Sequence, residues 1–397
     1  VLSCDVGEIS ILNELRIEKW VYGGDALARP GGRVVLVPFT MPGELVRTEV
    51  GDDIHVDLVE VIEPSPDRVA APCPFFSKCG GCHYQHAPYE FQLARKVEIL
   101  REQLRRVGKI DYQGEIDIIS GPPLGYRNRS QFHIANGRIG YLAWRSHELV
   151  EVPGVCPISS PRVNATLALM QERLRDPKFP KFVREIEVFT NESAVQLNVL
   201  ETDRPVARWF YDWFESSVAL DYPTTHGTFR VSPHSFFQIN RFLVDKMIDR
   251  ALLHADGETA LDLYSGVGLF TLPLSEKFKK VTAVESGATA VRDLQANAQR
   301  VEAVQSRAED YLAKLDQPPD FVLADPPRAG LGKTVVAHLR RLGPRRITIV
   351  SCDPATLARD VAALKYKIER ITLIDLFPQT YHVETIVDLT ANGEERR

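Results

Sequence analysis

Apolar residues follow two different rhythms along this chain. From about residue 8 to residue 63 they form short runs of strand type, such as Arg33-Val34-Val35-Leu36-Val37-Pro38 and His55-Val56-Asp57-Leu58-Val59. Gly23-Gly24, Pro30-Gly31-Gly32 and Pro42-Gly43 punctuate them, so the pattern predicts a small β-barrel. Pro64, Pro66, Pro72 and Pro74 then break the chain and mark a domain boundary. A helix is predicted over about 88–107, where Leu93, Val97, Leu100 and Leu104 recur at helical spacing. The stretch to about residue 222 mixes strands and helices. Beyond Pro233, helical segments alternate with the apolar runs Ala260-Leu261-Asp262-Leu263, Val281-Thr282-Ala283-Val284, Phe321-Val322-Leu323-Ala324 and Ile347-Thr348-Ile349-Val350. That alternation predicts an α/β fold with a parallel sheet covered on both faces. No internal repeat or low-complexity segment interrupts it.

Composition alters this picture little. With 397 residues, 44% hydrophobic and 25% charged, the chain is of ordinary globular type with room for more than one domain. It contains no apolar run of about 18 residues and no basic segment leading into an apolar one at its start, so a cytoplasmic location is expected. The net charge of -5 gives no overall attraction to nucleic acid, and any such contact must rest on local basic patches. The six cysteines do not form a disulfide scaffold in a chain this long; three of them, Cys73, Cys79 and Cys82, cluster in the manner of metal ligands.

The segment Leu261-Asp262-Leu263-Tyr264-Ser265-Gly266-Val267-Gly268-Leu269-Phe270 reads as a strand, a glycine turn and the start of a helix. Two glycines permit a tight turn and the close approach of a ligand to backbone at a helix N-terminus. Glu285 ends the next strand, 19 residues after Gly266, where a carboxylate can accept hydrogen bonds from ribose hydroxyls. An adenosine nucleoside fits this arrangement better than a nicotinamide dinucleotide, because Thr271 replaces the third glycine of the dinucleotide fingerprint. Taken alone, the turn leaves a cofactor site and a purely structural turn both open. Asp325-Pro326-Pro327-Arg328 follows directly on one strand, and Ser351-Cys352-Asp353-Pro354 on the next. Both motifs therefore lie at the carboxyl edge of the sheet, where open α/β folds bind ligands.

Taken together, five ordered segments resemble the RNA uracil-5 methyltransferase family: Ser232-Pro233-His234-Ser235-Phe236-Phe237-Gln238, the glycine turn, Asp325-Pro326-Pro327-Arg328-Ala329-Gly330, Ser351-Cys352-Asp353-Pro354-Ala355-Thr356-Leu357-Ala358-Arg359-Asp360 and His382-Val383-Glu384-Thr385. The resemblance implies a class I, Rossmann-like methyltransferase domain over 226–397 that uses S-adenosylmethionine. It assigns Cys352 as nucleophile and Glu384 as base, with Gln238, Tyr264, Gly266, Glu285 and Asp325 as cofactor-binding residues. The chemistry explains these residue types. C5 of uracil is a poor nucleophile until a thiolate adds at C6, and the C5 proton must afterwards leave to a base. Two positions depart from the family pattern: Asp353 stands where asparagine is common, and Leu269 where some relatives carry a polar residue.

The resemblance extends to the rest of the chain. The segment from Gly32 to Glu44 is similar to the TRAM domain of RNA-modifying enzymes, which makes 1–63 a TRAM-like, OB-like RNA-binding barrel. Cys73-x5-Cys79-x2-Cys82 with Cys156 as a fourth ligand suits either tetrahedral zinc or an iron-sulfur cluster by spacing alone, and His83 and His86 are the alternative ligands for zinc. Similarity to cluster-bearing family members favours a [4Fe-4S] centre of structural role in a central α+β domain over 64–225. Cys4 is left over. Tyr126-Arg127-Asn128-Arg129-Ser130-Gln131-Phe132 and Trp144-Arg145 interleave aromatic and basic residues. Arg127, Arg129 and Arg145 are thereby expected at phosphates, with Phe236 or Phe237 walling the pocket of a flipped base. The barrel and four-cysteine combination looks most like enzymes acting on 23S ribosomal RNA. The T-loop uridine of transfer RNA is the alternative target, and an RNA-binding protein without catalysis or a nicotinamide-dependent oxidoreductase are the rivals from other classes. A monomer is expected.

Overall fold

A computed structural model describes residues 12–49 and 53–392. Residues 1–11 of the expected barrel, Cys4 among them, and its residues 50–52 lie outside them. Contacts group the chain into two units, one reaching to Ile99 and taking in Gln379–Tyr381, the other covering Leu100–Pro378 and resuming at His382.

In the first unit the predicted strands form two three-stranded antiparallel sheets. One orders Leu12–Arg16, Leu45–Glu49 and Leu58–Glu63; the other orders Lys19–Trp20, Asp25–Ala28 and Val35–Pro38. Leu15, Ile17, Val37, Met41 and Val46 fill one shared core. Trp20 anchors it, with its ring stacked on Tyr84 at 4.0 Å and its Nε1 donating to the Thr40 carbonyl at 2.7 Å. A buried indole thus keeps its one donor satisfied. The predicted helix appears as Tyr89–Arg106.

The second unit holds two sheets and a hairpin. The first is antiparallel, ordered Leu149–Glu151, Arg138–Leu142, Arg129–Ala135, Val183–Thr190 and Val195–Thr202. The helix Pro161–Arg173 shares a core with it through Val163, Leu167 and Met170. That helix starts where Ser160 accepts from the Val163 N–H and Pro161 fills the first turn, where its missing donor costs nothing. Strands Leu220–Thr224 and Gly227–Val231 pair as the hairpin.

The larger sheet has eight strands: β1 (Ile116–Ile119), β2 (Thr259–Leu263), β3 (Lys280–Glu285), β4 (Glu302–Gln305), β5 (Phe321–Ala324), β6 (Arg346–Ser351), β7 (Lys367–Ile374) and β8 (Glu384–Thr390). Their order is β4-β3-β2-β5-β6-β8-β7-β1, and β8 alone runs antiparallel to its neighbours. Every residue of β5 is buried, as a strand covered by helices on both faces requires. After β2 the chain builds β3 and β4 on one side and then crosses to β5 on the other. The crevice at the carboxyl ends of β2 and β5 is therefore a topological switch point, where folds of this type bind ligands. Among the described residues no helix is long and apolar enough to cross a membrane.

Candidate active site

The glycine turn leaves β2 at Tyr264, whose φ of 60° is left-handed; Gly266 and Gly268 follow at 55° and 92°. Left-handed tyrosine is uncommon, and such strain gathers at ligand sites. A Cβ at Gly268 would meet Leu294 at 2.8 Å, so the turn packs tightly on the helix Ala288–Asn297. At Gly266 a Cβ would meet nothing within 4 Å, and the turn is open on that side. Glu285, at the end of β3, braces it: its two carboxylate oxygens accept from Gly266 N at 3.0 Å and Gly287 N at 2.6 Å. Beneath the turn, Asp262 is fully buried and takes a hydrogen bond from Thr271 Oγ1. Burial, with smaller help from Asp325 and Glu285, lifts its carboxyl to about 7.

Strand register brings the proposed nucleophile and base together. Ser351 of β6 pairs with Thr385 of the antiparallel β8, so Cys352 and Glu384 are the next residues along this edge of the two strands. Asp325 joins them from the end of the adjacent β5. Glu384 is buried, and burial first, then the Asp325 charge, pushes its carboxyl well above the usual range. The Cys352 thiol is pushed up to about 12 by burial, then by Glu384 and Asp325, against a lowering by Arg328. Burial alone raises Asp325 to about 7. Burial therefore favours the protonated form of all three groups.

Asp353, the unusual residue beside the cysteine, has a structural task. It is the N-cap of the helix Pro354–Leu364, its Oδ1 accepting from Ala355 N at 3.0 Å and Thr356 N at 2.8 Å. Asparagine caps equally well, so Asp353→Asn should leave chemical denaturation midpoints nearly unchanged, whereas Asp353→Ala should lose about 1 kcal/mol. The same helix fastens the Asp325 loop: Asp360 accepts from Leu331 N at 2.7 Å and Arg359 Nη2 donates to the Ala329 carbonyl at 2.7 Å.

The 232–238 segment is held by a residue that no motif marks. Asp293, on the helix Ala288–Asn297, accepts from Ser232 N (2.8 Å), Ser232 Oγ (2.6 Å) and Ser235 Oγ (2.8 Å). Gln238 is buried at the end of the segment and Phe236 is 65% exposed. Phe237, expected as an alternative pocket wall, is instead buried in the main core against Tyr222 and Phe229. Arg129 also differs from expectation. Its guanidinium is buried, lies 4.3 Å from the Phe189 ring centre and donates to the Ser235 carbonyl at 3.0 Å. It holds the 232–238 segment at the Ser235 carbonyl. Arg127 is partly exposed, its Nε donating to the Arg129 carbonyl. Arg145 is exposed beside the Trp144 ring.

Cys73, Cys79 and Cys82 lie in the first unit and Cys156 in the second. Gly81 N donates to Cys79 Sγ at 3.4 Å, and Asn164 holds Cys156 through its backbone N and O at 2.9 and 3.1 Å. Amide donors to sulfur suit a metal-bound thiolate. Among the described residues no group of three or more His, Cys, Asp or Glu stands ready around a metal position. His86, an alternative ligand, is buried against Trp20 and Phe76, and burial lowers it to about 4.

The family described as tRNA (uracil-5-)-methyltransferase matches residues 218–307 and 314–392. An RNA methyltransferase of Aquifex aeolicus is 34% identical over 94% of this chain and 97% of its own length. The 23S rRNA (uracil(1939)-C(5))-methyltransferase of Halomonas elongata is 32% identical over 97% of this chain and 90% of its own. Among solved structures, the Pyrococcus abyssi tRNA (uracil-54, C5)-methyltransferase in complex with S-adenosyl-L-homocysteine superposes with a TM-score of 0.75 at 25% identity, covering 95% of this chain and all of that one. Fold and site thus define an S-adenosylmethionine-dependent methyltransferase. Within that class, the chain belongs to the RNA uracil-C5 methyltransferase family.

Proposed function

We propose that the chain methylates C5 of a uridine in 23S ribosomal RNA, with Cys352 as nucleophile and Glu384 as base. The observation that carries this reading is the β6–β8 register, which sets a buried carboxylic acid next to a thiol at the carboxyl edge of the sheet. S-adenosylmethionine supplies the methyl group as an electrophile when bound. Tyr264, Gly266 and Glu285 at the open glycine turn, with Gln238 and Asp325, are the residues to hold it. The Cys352 thiol first gives up its proton to solvent; the thiolate Sγ then bonds to uracil C6, and the C5–C6 π pair moves to C5, which takes the methyl group. Glu384 then removes the C5 proton; the pair left behind re-forms the C5–C6 double bond, the C6–S bond breaks and the thiolate departs.

Arg127, Arg145 and Phe236 are proposed RNA contacts, within a chain divided into a TRAM-like barrel over 1–63, a central domain over 64–225 and the methyltransferase domain over 226–397. The assignment of Cys73, Cys79, Cys82 and Cys156 to a [4Fe-4S] cluster rests on the sequence motif. It predicts about four iron and four sulfide per chain in anaerobically purified protein, lost in Cys79→Ser; zinc in their place overturns it. The ribosomal target is supported by the name of the Halomonas relative, and a transfer-RNA target by that of the Pyrococcus structure. Incubation with S-adenosylmethionine and a mixture of unmodified ribosomal and transfer RNA, followed by nucleoside mass spectrometry and mapping, separates them. New 5-methyluridine in 23S RNA is the expected result; 5-methyluridine in transfer RNA alone moves the substrate.

A further inference from the structure

The helix Ala288–Asn297, in the second unit, touches both the cofactor turn and the 232–238 segment. At its start, Gly287 N donates to Glu285, whose other oxygen braces the turn through Gly266 N. In its middle, Leu294 packs against Gly268 and shares a small core with Ala283 of β3 and with Ala298. Closely packed side chains leave little slack, so a restriction of the turn is felt by the helix.

The last residue of the helix, Asn297, makes the decisive contacts. Its Nδ2 donates to the Val267 carbonyl of the turn at 2.8 Å and to the Arg230 carbonyl at 3.0 Å, while Oδ1 accepts from Arg230 N at 2.8 Å. Both amide hydrogens meet carbonyls and the oxygen meets an N–H, so only this orientation of the amide satisfies all three bonds. Arg230 belongs to the hairpin strand Gly227–Val231, which pairs with Leu220–Thr224 on one side. Asn297 takes up an N–H and a C=O on the other, as a neighbouring strand would.

Asp293 lies one turn before Asn297, on the same face of the helix. It is 1% exposed, and its carboxylate accepts from Ser232 N, Ser232 Oγ and Ser235 Oγ. One helix face therefore grips the turn at Val267, the end of the hairpin at Arg230 and the segment that follows at Ser232 and Ser235. His234, between the two serines, has a left-handed φ of 64°, a conformation that a non-glycine residue keeps only while its surroundings hold it.

We propose that Asn297 and Asp293 are positioning residues that tie the cofactor turn to the RNA-contacting 232–238 segment, so that a nucleoside seated against Gly266 also orders that segment. The proposal rests on the RNA-methylating reading above for what the segment contacts. A ligand on the open side of Gly266 restricts the turn; Val267 and Gly268 pass the restriction to the helix, and Asp293 and Asn297 pass it to the segment. RNA then meets Phe236 on a segment already ordered and loses less conformational entropy on binding.

S-adenosyl-L-homocysteine, which has no methyl group to transfer, is the probe, and hydrogen exchange of the 234–237 backbone amides is the readout. Calorimetry sets the saturating concentration for each protein. In the wild type, saturation should slow exchange about tenfold. Asn297→Ala cuts the link at the turn and Asp293→Ala cuts it at the segment, and in both the exchange should be the same with and without the ligand. Each protein is compared with itself, so a general loss of stability speeds exchange in both states and leaves their ratio unchanged. Slowing that persists in either variant would mean that Gln238 carries the effect by itself, and no slowing in the wild type would mean that no link exists. Either result overturns the proposal, whether or not any RNA is methylated. A chain that binds no S-adenosyl-L-homocysteine removes the methyltransferase reading and this proposal with it.

Discussion

Cys352→Ala should reduce methyl transfer to RNA by about 10⁴-fold or more, while Glu384→Gln should trap the RNA on the protein. The two outcomes differ because the residues act at different steps. Without the thiol no bond forms at C6, C5 stays a poor nucleophile, and neither product nor adduct accumulates. Without the carboxylate, addition and methyl transfer still proceed, but the C5 proton has no acceptor and the C6–S bond cannot break. Loss of a general base slows a step by about 10² to 10⁴-fold, so the methylated adduct should persist through denaturing electrophoresis and carry label from the methyl donor. Cys352→Ala that retains full methyl transfer would falsify the covalent route. Glu384→Gln that turns over at the wild-type rate without adduct would transfer the base role to Asp325, the other carboxyl at this edge of the sheet.

The parts of this site that were legible in the sequence are those where local pattern and burial agree. β2, β3, β5 and β6 were readable as apolar runs because each is covered on both faces. β8 was not, although Glu384 was singled out, because its pattern contains Asp388, buried and ion-paired with Arg250 at 2.8 Å. A polar network replaced the apolar signal there, and with it the strand register that brings base and nucleophile together. Asp293 was unreadable for a different reason: the serines it holds lie 58 to 61 positions away, and only the packing of its helix on the hairpin brings them near. The packing of Arg129 on Phe189 was not legible, because a basic residue among aromatics looks the same whether or not a ring already packs on its guanidinium. At Asp353 the sequence shows only a departure from the family pattern. The structure gives a capping residue whose carboxylate is engaged by two backbone amides.

The protonation of the site provides a test that needs neither RNA nor methyl donor. The Cys352 thiol is pushed up to about 12, so near neutral pH only a minute fraction is thiolate. Its alkylation by iodoacetamide, followed by mass spectrometry of the Cys352 peptide, should be slow at pH 7. It should accelerate about tenfold for each step of one in pH through the alkaline range. Glu384 and Asp325 oppose thiolate formation once they have lost their protons, while Arg328 favours it. The sign for each variant follows. Glu384→Gln removes a neighbour that is negative in its ionised form, so at a fixed pH high enough to ionise that neighbour the variant has a more acidic thiol and faster alkylation. Arg328→Ala removes a positive one and slows it. A single charge at the edge of a protein interior changes the thiolate fraction by about tenfold, and the alkylation rate follows in proportion. Equal alkylation rates in wild type and both variants would mean that these charges do not face the thiol, and the site geometry derived from the β6–β8 register would fail. If the signs hold, turnover must rise with pH along its acidic limb, because the thiol and Glu384 must both lose protons before one can attack C6 and the other can accept from C5.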